Sequence, residues 1–132
     1  MTYVDTSAFI AFADESDSHH QLFRRHFSTP PRGVFTTSLV ITEGHAWFLR
    51  RFDRARALRF IAMIEDISFL DIVAAGPVEL EGGVDVLRKF NDQDLTLVDA
   101  IGLFLMDQKK VESCWSTDRH LGLTGVNLII HQ

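Results

Sequence analysis

Short apolar stretches alternate along the chain with longer stretches in which apolar residues recur every three or four positions. The short stretches are β-prone, are bounded by polar or turn-forming residues and predict strands. The predicted strands are Thr2–Asp5, Val34–Thr37, Phe69–Val73, Ser113–Thr117 and Asn127–His131. Strands that alternate with helices predict an α/β fold with a central parallel sheet covered on both faces.

The longer stretches predict helices, several of which begin at residues suited to capping. Asp53 and Thr96 each precede a helical pattern and can accept hydrogen bonds from its first free amides. The pair Pro30-Pro31 ends the second helix, and Gly82-Gly83 weakens the fifth. The predicted helices cover Ala8–Ala13, Asp17–Ser28, Ser38–Arg51, Asp53–Asp66, Pro77–Phe90 and Thr96–Lys110. The segment 118–125 is predicted to form a turn or a single helical turn.

Length and composition predict one domain that covers residues 1–132. Of its 132 residues, 46% are hydrophobic and 23% are charged, a balance typical of soluble globular proteins. The apolar runs are shorter than the roughly 18 residues that span a membrane, and the N-terminus lacks the basic start of a signal peptide. Cys114 is the only cysteine, so no internal disulfide or cysteine-rich zinc site can form. We therefore expect a cytoplasmic protein.

The charge distribution contains one basic cluster in an acidic chain. The net charge of −5 weakens any general attraction to polyanions, so binding to nucleic acid would need a local positive surface. Five arginines lie within ten residues and are opposed only by Asp53; they are Arg50, Arg51, Arg54, Arg56 and Arg59. This cluster fits either a solvated helix face or such a surface.

Three aspartates occupy positions that the predicted sheet would bring together. Asp5 ends the first strand, Asp118 follows the fourth, and Asp99 lies in the first turn of the last helix. Ligands of open parallel sheets bind beyond the carboxyl ends of the strands, so the three carboxylates could converge there. Each also has an ordinary explanation, because Asp5 and Asp118 could cap helices and Asp99 completes a capping box with Thr96.

Glu43 is the only charged residue between Arg32 and Arg50 and lies within an apolar stretch. A carboxylate buried without a cation tends to take up a proton or to destabilise the fold. A divalent ion such as Mg²⁺ or Mn²⁺, which prefers oxygen ligands, would solve this problem. An arginine from another helix would also do so.

Four motifs in order give the chain a family likeness that spans nearly its whole length. Asp5-Thr6-Ser7-Ala8 resembles the opening motif of PIN domains, and Thr42-Glu43 resembles their helix-borne acid. Segments 95–100 and 116–121 are similar to the third and fourth motifs, although Leu121 stands where the family often has Phe. Within that family, the chain resembles the VapC-type toxins.

The resemblance implies a three-layer α/β/α sandwich in which four acids hold one or two Mg²⁺ or Mn²⁺ ions. The implied ligands are Asp5, Glu43, Asp99 and Asp118. Ser7 and Thr117 match polar positions whose hydroxyls can orient the carboxylates, and Asp94 either joins them or belongs to a polar loop. The implied activity is hydrolysis of RNA by metal-activated water, which needs no nucleophilic side chain.

Histidines, arginines and aromatic rings are further candidates for contacts with zinc or RNA. The histidines show no zinc-binding spacing, and His120 is expected either to pack or to contact the substrate. Arg50, Arg51 and Arg54 are candidate RNA contacts. Among the aromatic residues, which are expected mainly in the core, one exposed ring could stack on an unpaired base.

The resemblance also implies partners, namely RNA, a VapB-type antitoxin that blocks the groove, and a second copy of the chain in a homodimer. Two alternatives remain open, an RNA-processing nuclease without an antitoxin and a catalytically silent binding module on the same scaffold. Receiver domains and Asp-x-Asp phosphatases fit poorly, because Asp5 has no acidic neighbour and Ser7 stands where the second aspartate is needed.

Overall fold

A parallel sheet of five strands forms the centre of the molecule, with helices on both faces. The computed structural model describes residues 1–131. The strands are β1 (Thr2–Val4), β2 (Val34–Thr37), β3 (Leu70–Val73), β4 (Ser113–Trp115) and β5 (Asn127–Leu128). The helices are α1 (Thr6–Ala13), α2 (His20–Ser28), α3 (Ser38–Arg51), α4 (Arg54–Glu65), α5 (Pro77–Lys89) and α6 (Leu97–Gln108). The predicted three-layer α/β/α sandwich is therefore confirmed.

The strand order β3-β2-β1-β4-β5 places the first strand in the middle of the sheet. The chain builds β2 and β3 on one side of β1 and then crosses to build β4 and β5 on the other. The direction of winding therefore reverses between β1 and β4. In parallel sheets a crevice opens at such a switch point, beyond the carboxyl ends of the two strands.

Most predicted elements lie within a few residues of the observed ones. Strand β2 and helix α3 have the predicted bounds, and α4 begins after Asp53, whose side chain accepts the amide of Arg56. Helix α2 begins at His20 instead of Asp17, because Asp17 accepts the amide of His19 in the preceding turn. None of the helices in residues 1–131 is long and apolar enough to cross a membrane.

Three predicted strands are too long at their carboxyl ends. Strand β1 stops at Val4, because Asp5 already occupies the N-cap position of α1, although its side chain makes no capping hydrogen bond there. Strand β4 stops at Trp115, since the following residues bond to side chains around Asp5 instead of to a neighbouring strand. Strand β5 ends at Leu128, and the chain continues in a 3₁₀ turn over Ile129–His131.

Aromatic rings fill the layer between the sheet and the first helices. Phe9 and Phe27 pack together with ring centroids 5.7 Å apart, and Phe27 meets the buried ring of Trp115 edge-on at 5.0 Å. On β1, the ring of Tyr3 lies 5.4 Å from that of Phe35 on β2. This packing fixes the carboxyl ends of β1 and β4. Polar residues follow directly after both ends.

The glycine pair that weakens the predicted fifth helix allows α5 to approach α6 closely. Gly82 and Gly83 are buried in a continuous helix. A Cβ atom on Gly83 would lie 2.5 Å from Cγ1 of Ile101 and 3.2 Å from its backbone nitrogen. Neither atom is a flexible side-chain end, so the two helices would have to separate.

We therefore predict that Gly83→Ala destabilises the fold by about 1–3 kcal/mol through overpacking, despite the gain of about 1 kcal/mol in helix propensity. The free energy of unfolding, measured by urea denaturation, is the test. Glu81→Ala, on an exposed position of the same helix, should change it by less than about 0.5 kcal/mol. A Gly83→Ala protein as stable as the parent would contradict this account of the packing.

Candidate functional site

The four predicted acids line one pocket at the switch point of the sheet. Asp5 follows β1, Asp118 follows β4, Glu43 lies on α3, and Asp99 lies in the first turn of α6. These positions bring together side chains from four separate stretches of sequence. Thr6, Ser7 and Thr96 line the same pocket and supply hydroxyl groups beside the acids.

Asp5 lies deepest among the four and is held by two serine hydroxyls. Ser7 and Ser116 donate to the same carboxylate oxygen, Oδ2, over 2.9 Å and 3.0 Å. The backbone amides of Thr117 and Asp118 in turn donate to the oxygens of Ser7 and Ser116. The two hydroxyl groups, whose oxygens lie 3.1 Å apart, are thereby held against the carboxylate of Asp5.

Burial is the main influence on the ionisation of Asp5. The residue is 4% exposed, and this desolvation, reinforced by the nearby charge of Asp99, raises its pKa to about 6. The hydrogen bonds from Ser7, Ser116 and the Thr6 amide act in the opposite direction because they stabilise the charged form. Burial and the like charge of Asp99 therefore both disfavour the ionised form of Asp5.

Asp99 interacts electrostatically with each of the other three acids. It completes a capping box in which its amide donates to Oγ1 of Thr96 and its Oδ2 accepts the Thr96 amide, over 3.1 Å and 3.3 Å. Burial, with the charge of Asp118, raises the pKa of Asp99, and the charge of Asp99 contributes to raising those of Asp5 and Glu43. The capping interpretation and the site interpretation are therefore both compatible with its position.

Glu43 is partly buried, and its carboxylate accepts a short hydrogen bond from the hydroxyl of Thr6. Burial and the charges of Asp99 and Asp118 raise its pKa. The alternative of an arginine partner is not realised, because within residues 1–131 the ion pairs that form are those of His19 with Asp17 and His120 with Asp118. Glu43 therefore faces other acids and forms no ion pair with an arginine of the described residues.

Asp118 begins the 3₁₀ turn Arg119–Gly122, and its Oδ1 accepts the amide of His120 at 3.0 Å. Nδ1 of the same histidine lies 3.0 Å from this oxygen. Asp99, Asp118 and His120 each offer one ligand atom, and these three atoms lie within 4.8 Å of one another. His120, predicted as a packing or substrate-contacting residue, thus also lies where it could bind a cation.

Ser116, Thr6 and Thr96 contact the acids although they were not predicted as site residues. Ser116 is buried and bonds to Asp5, whereas its neighbour Thr117 contributes only a backbone amide, which donates to Ser7. The signal in the sequence was the pair of hydroxyl residues in each of the first and fourth motifs, but the sequence did not indicate which hydroxyl faces Asp5. Asp94 is exposed in the loop before α6.

The arginine cluster divides between the pocket and the surface around it. Arg50 and Arg51, at the end of α3, line the acidic pocket together with Trp47. Arg54 is exposed at the start of α4, and Arg56 and Arg59 line a neighbouring groove between α1 and α4. The site thus has an acidic floor and a basic side.

Comparison with solved structures identifies the fold. The chain superposes on the crystal structure of Mycobacterium tuberculosis VapC20, described as a sarcin–ricin loop cleaving toxin, with a TM-score of 0.87 and 20% sequence identity. The match covers 96% of this chain and 97% of VapC20. No family model matches the chain, and no curated protein matches it by sequence. The chain therefore has the fold of a VapC-type PIN domain, as the four motifs predicted.

We predict that Ser116→Ala destabilises the fold by about 1–3 kcal/mol, because it removes a donor from buried Asp5 and an acceptor from the Asp118 amide. Thermal or urea denaturation measures the loss. Thr117→Ala is the matched control, since that residue contributes through its backbone alone, and should cost less than about 0.5 kcal/mol. Equal losses in the two variants would show that Ser116 does not have this role.

We also predict that the metal-free protein loses stability as pH rises from about 4 to about 6. In this window the folded chain keeps a proton on Asp5 that the unfolded chain has released, so the free energy of unfolding falls with pH. Asp5→Asn should remove about 2–3 kcal/mol of that fall. Denaturation in EDTA across the window is the test, with Asp94→Asn as the control for an exposed aspartate. Parallel profiles for Asp5→Asn and the parent would refute the prediction.

Proposed function

We propose that this chain is a Mg²⁺- or Mn²⁺-dependent endoribonuclease and the toxin component of a VapBC-type toxin–antitoxin pair. The observation that carries the proposal is the convergence of four carboxylates on one pocket in a chain with the fold of an RNA-cleaving VapC. A catalytically silent binding module would have no need for buried acids that repel one another. RNA is the proposed substrate because VapC20 is described as cleaving the sarcin–ricin loop.

The donor set of the pocket fits a divalent cation. Carboxylate oxygens are the ligands that Mg²⁺ and Mn²⁺ prefer, and Mg²⁺ keeps several of its waters, so a few carboxylates suffice. Burial and mutual repulsion raise the pKa values of Asp5, Glu43 and Asp99, a cost that a bound cation would offset. We assign Asp5, Asp99 and Asp118 as the principal ligands and Glu43 as the fourth.

When bound, the cation supplies activation of water and neutralisation of charge on the phosphodiester. The residues of the chain hold and orient the groups around it. Ser7 and Ser116 fix one oxygen of Asp5, Thr6 fixes one oxygen of Glu43, and Thr96 fixes Asp99. Such supporting contacts keep ligands in place.

No side chain of the pocket is required as a nucleophile. Cys114 is buried in β4, and burial raises the pKa of its thiol, so it is neither accessible nor ionised at neutral pH. The attacking group in this proposal is water, which Glu43 and Asp118, both only partly buried, could orient through their carboxylate oxygens.

The basic side of the pocket is proposed to hold the RNA backbone. Arg50 and Arg51 line the pocket, and Arg54 is exposed beyond it. Guanidinium groups bind phosphates through paired hydrogen bonds, so these residues could position the strand across the acids. His120, next to Asp118, could contact the same strand or the cation.

The partners and location follow from the toxin assignment. We propose that a VapB-type antitoxin covers the acidic pocket, that the chain forms a homodimer and that both act in the cytoplasm. Co-expression with the product of an adjacent small gene, followed by co-purification, tests the first. The molecular mass in solution tests the second.

We predict that the purified protein fragments structured RNA in Mg²⁺ or Mn²⁺ and not in EDTA. Asp99→Asn should lower the cleavage rate by at least about 100-fold, since it removes a proposed ligand. It should also abolish most of the rise in melting temperature that the metal produces. Asp94→Asn, in the exposed loop, is the matched control and should behave as the parent does. Undiminished cleavage by Asp99→Asn would refute the assigned site.

A further inference from the structure

A strip of aromatic rings and arginines leads away from the acidic pocket along the junction of α3 and α4. We call it the aromatic–arginine strip; it consists of Trp47, Arg50, Arg51, Phe52 and Arg56. Trp47, Arg50 and Arg51 line the acidic pocket, and Phe52 and Arg56 line the neighbouring groove. The strip therefore connects the two depressions.

The rings of the strip are partly accessible and lie close together. Trp47 is partly buried, and Phe52 is 38% exposed. Their ring centroids are 5.9 Å apart with an interplanar angle of 70°. The guanidinium carbon of Arg56 lies 4.1 Å from the centroid of Phe52, and that of Arg51 lies 5.9 Å from it. Phe52 also stacks on the buried ring of Phe48, with centroids 6.0 Å apart, so the rings and guanidinium groups of the strip form one packed cluster.

The arginines of the strip form no ion pair with an acid of residues 1–131. Of the contacts between acids and bases that residues 1–131 make, neither involves an arginine. Asp53, the one acid within the cluster, accepts the backbone amide of Arg56 as a helix cap. The three guanidinium groups are therefore available to phosphates, although Asp14 and Glu15 line the same groove as Arg56 and the chain carries a net charge of −5.

We infer that the aromatic–arginine strip binds the unpaired nucleotides next to the scissile phosphate, with one base stacked on Trp47 and a second on the Phe52–Arg56 pair. The inference rests on the proposed ribonuclease function, because it takes the acidic pocket as the site of cleavage. Bases stack on aromatic rings and on guanidinium planes, and arginines bind the intervening phosphates. Trp47 would then be a positioning residue for the nucleotide nearest the acids.

The angle between the rings favours an unpaired strand. Neighbouring bases in a duplex are parallel, so they could not lie flat on two rings inclined at 70°. The bases of an unstacked loop can turn independently, so that one base lies flat on each ring. A protein partner is less well matched, because an acidic peptide would use the arginines but would leave both rings without flat partners.

Tryptophan fluorescence offers a direct test of the contact. The chain has two tryptophans, and Trp115 is 2% exposed inside the core, so a change on adding RNA would report Trp47. The titration uses the Asp99→Asn protein in Mg²⁺, which should not cut the RNA. We expect a short single-stranded RNA to quench the fluorescence and the same RNA in a duplex to bind more weakly.

The variants separate stacking from mere apolar packing. Because the Trp47 variants lack the reporting ring, affinity is measured by the fluorescence anisotropy of an end-labelled RNA. Trp47→Leu should weaken binding of single-stranded RNA by about 5- to 150-fold, the range for loss of one stacked base, whereas Trp47→Phe should retain most of the affinity. Phe52→Leu should have a smaller effect in the same direction. The matched control is Phe90→Leu, because Phe90 forms a ring–cation pair with Lys89 at 5.4 Å on another helix end. It should bind RNA as the parent does.

A series of RNAs that each lack one base completes the test. Removing the base that stacks on Trp47 should weaken binding to the parent and have little further effect on Trp47→Leu. The inference is overturned if Trp47→Leu binds and, in the otherwise unaltered chain, cleaves RNA as the parent does. It is also overturned if duplex RNA or an acidic peptide quenches Trp47 more strongly than single-stranded RNA. Absence of metal-dependent cleavage by the unaltered chain would instead refute the proposed function.

Discussion

Repulsion among carboxylates in a poorly solvated pocket is the constraint around which this fold is arranged. Asp99 lies within electrostatic reach of Asp5, Glu43 and Asp118, and no basic side chain of the described residues except His120 contacts them. Left alone, such a cluster would favour protonation or local unfolding. The hydroxyls of Ser7, Ser116 and Thr6 counter this by donating hydrogen bonds to the charged oxygens.

The order of the strands explains why acids so distant in sequence share one pocket. Because β1 lies between β2 and β4, the ends of three adjacent strands supply Asp5, Asp118 and the start of the helix that carries Glu43. Register makes the arrangement specific: Val4 pairs with Trp115, and the next residues on the two strands are Asp5 and Ser116. The hydrogen bond between these side chains therefore continues the pairing of the strands.

Local chemistry in the sequence predicted much of this structure, because caps, prolines and strand-end acids act over short distances. Asp53 and Thr96 cap α4 and α6 as expected. The choice between Ser116 and Thr117 could not be made in the same way, since successive residues of a strand point to opposite faces and an error of one position exchanges them. In the sequence, Gly82 and Gly83 indicate a weakened helix. Their role in the close packing of α5 against α6 could not be predicted, because the contacting residues of α6 lie about 20 positions away in the sequence.

The absence of an ion pair between Glu43 and an arginine of the described residues relates the acidic pocket to the basic surface beside it. Arg50 and Arg51 line the same pocket as Glu43, yet neither forms an ion pair with a carboxylate of the described chain. Under the proposed function, an ion pair there would neutralise an acid that would bind the metal ion and an arginine that would bind phosphate. Keeping the two charges apart leaves each available to a ligand of opposite sign. A phosphodiester bridged to a divalent ion carries both signs, so it complements a pocket with an acidic floor and a basic side better than either ion alone.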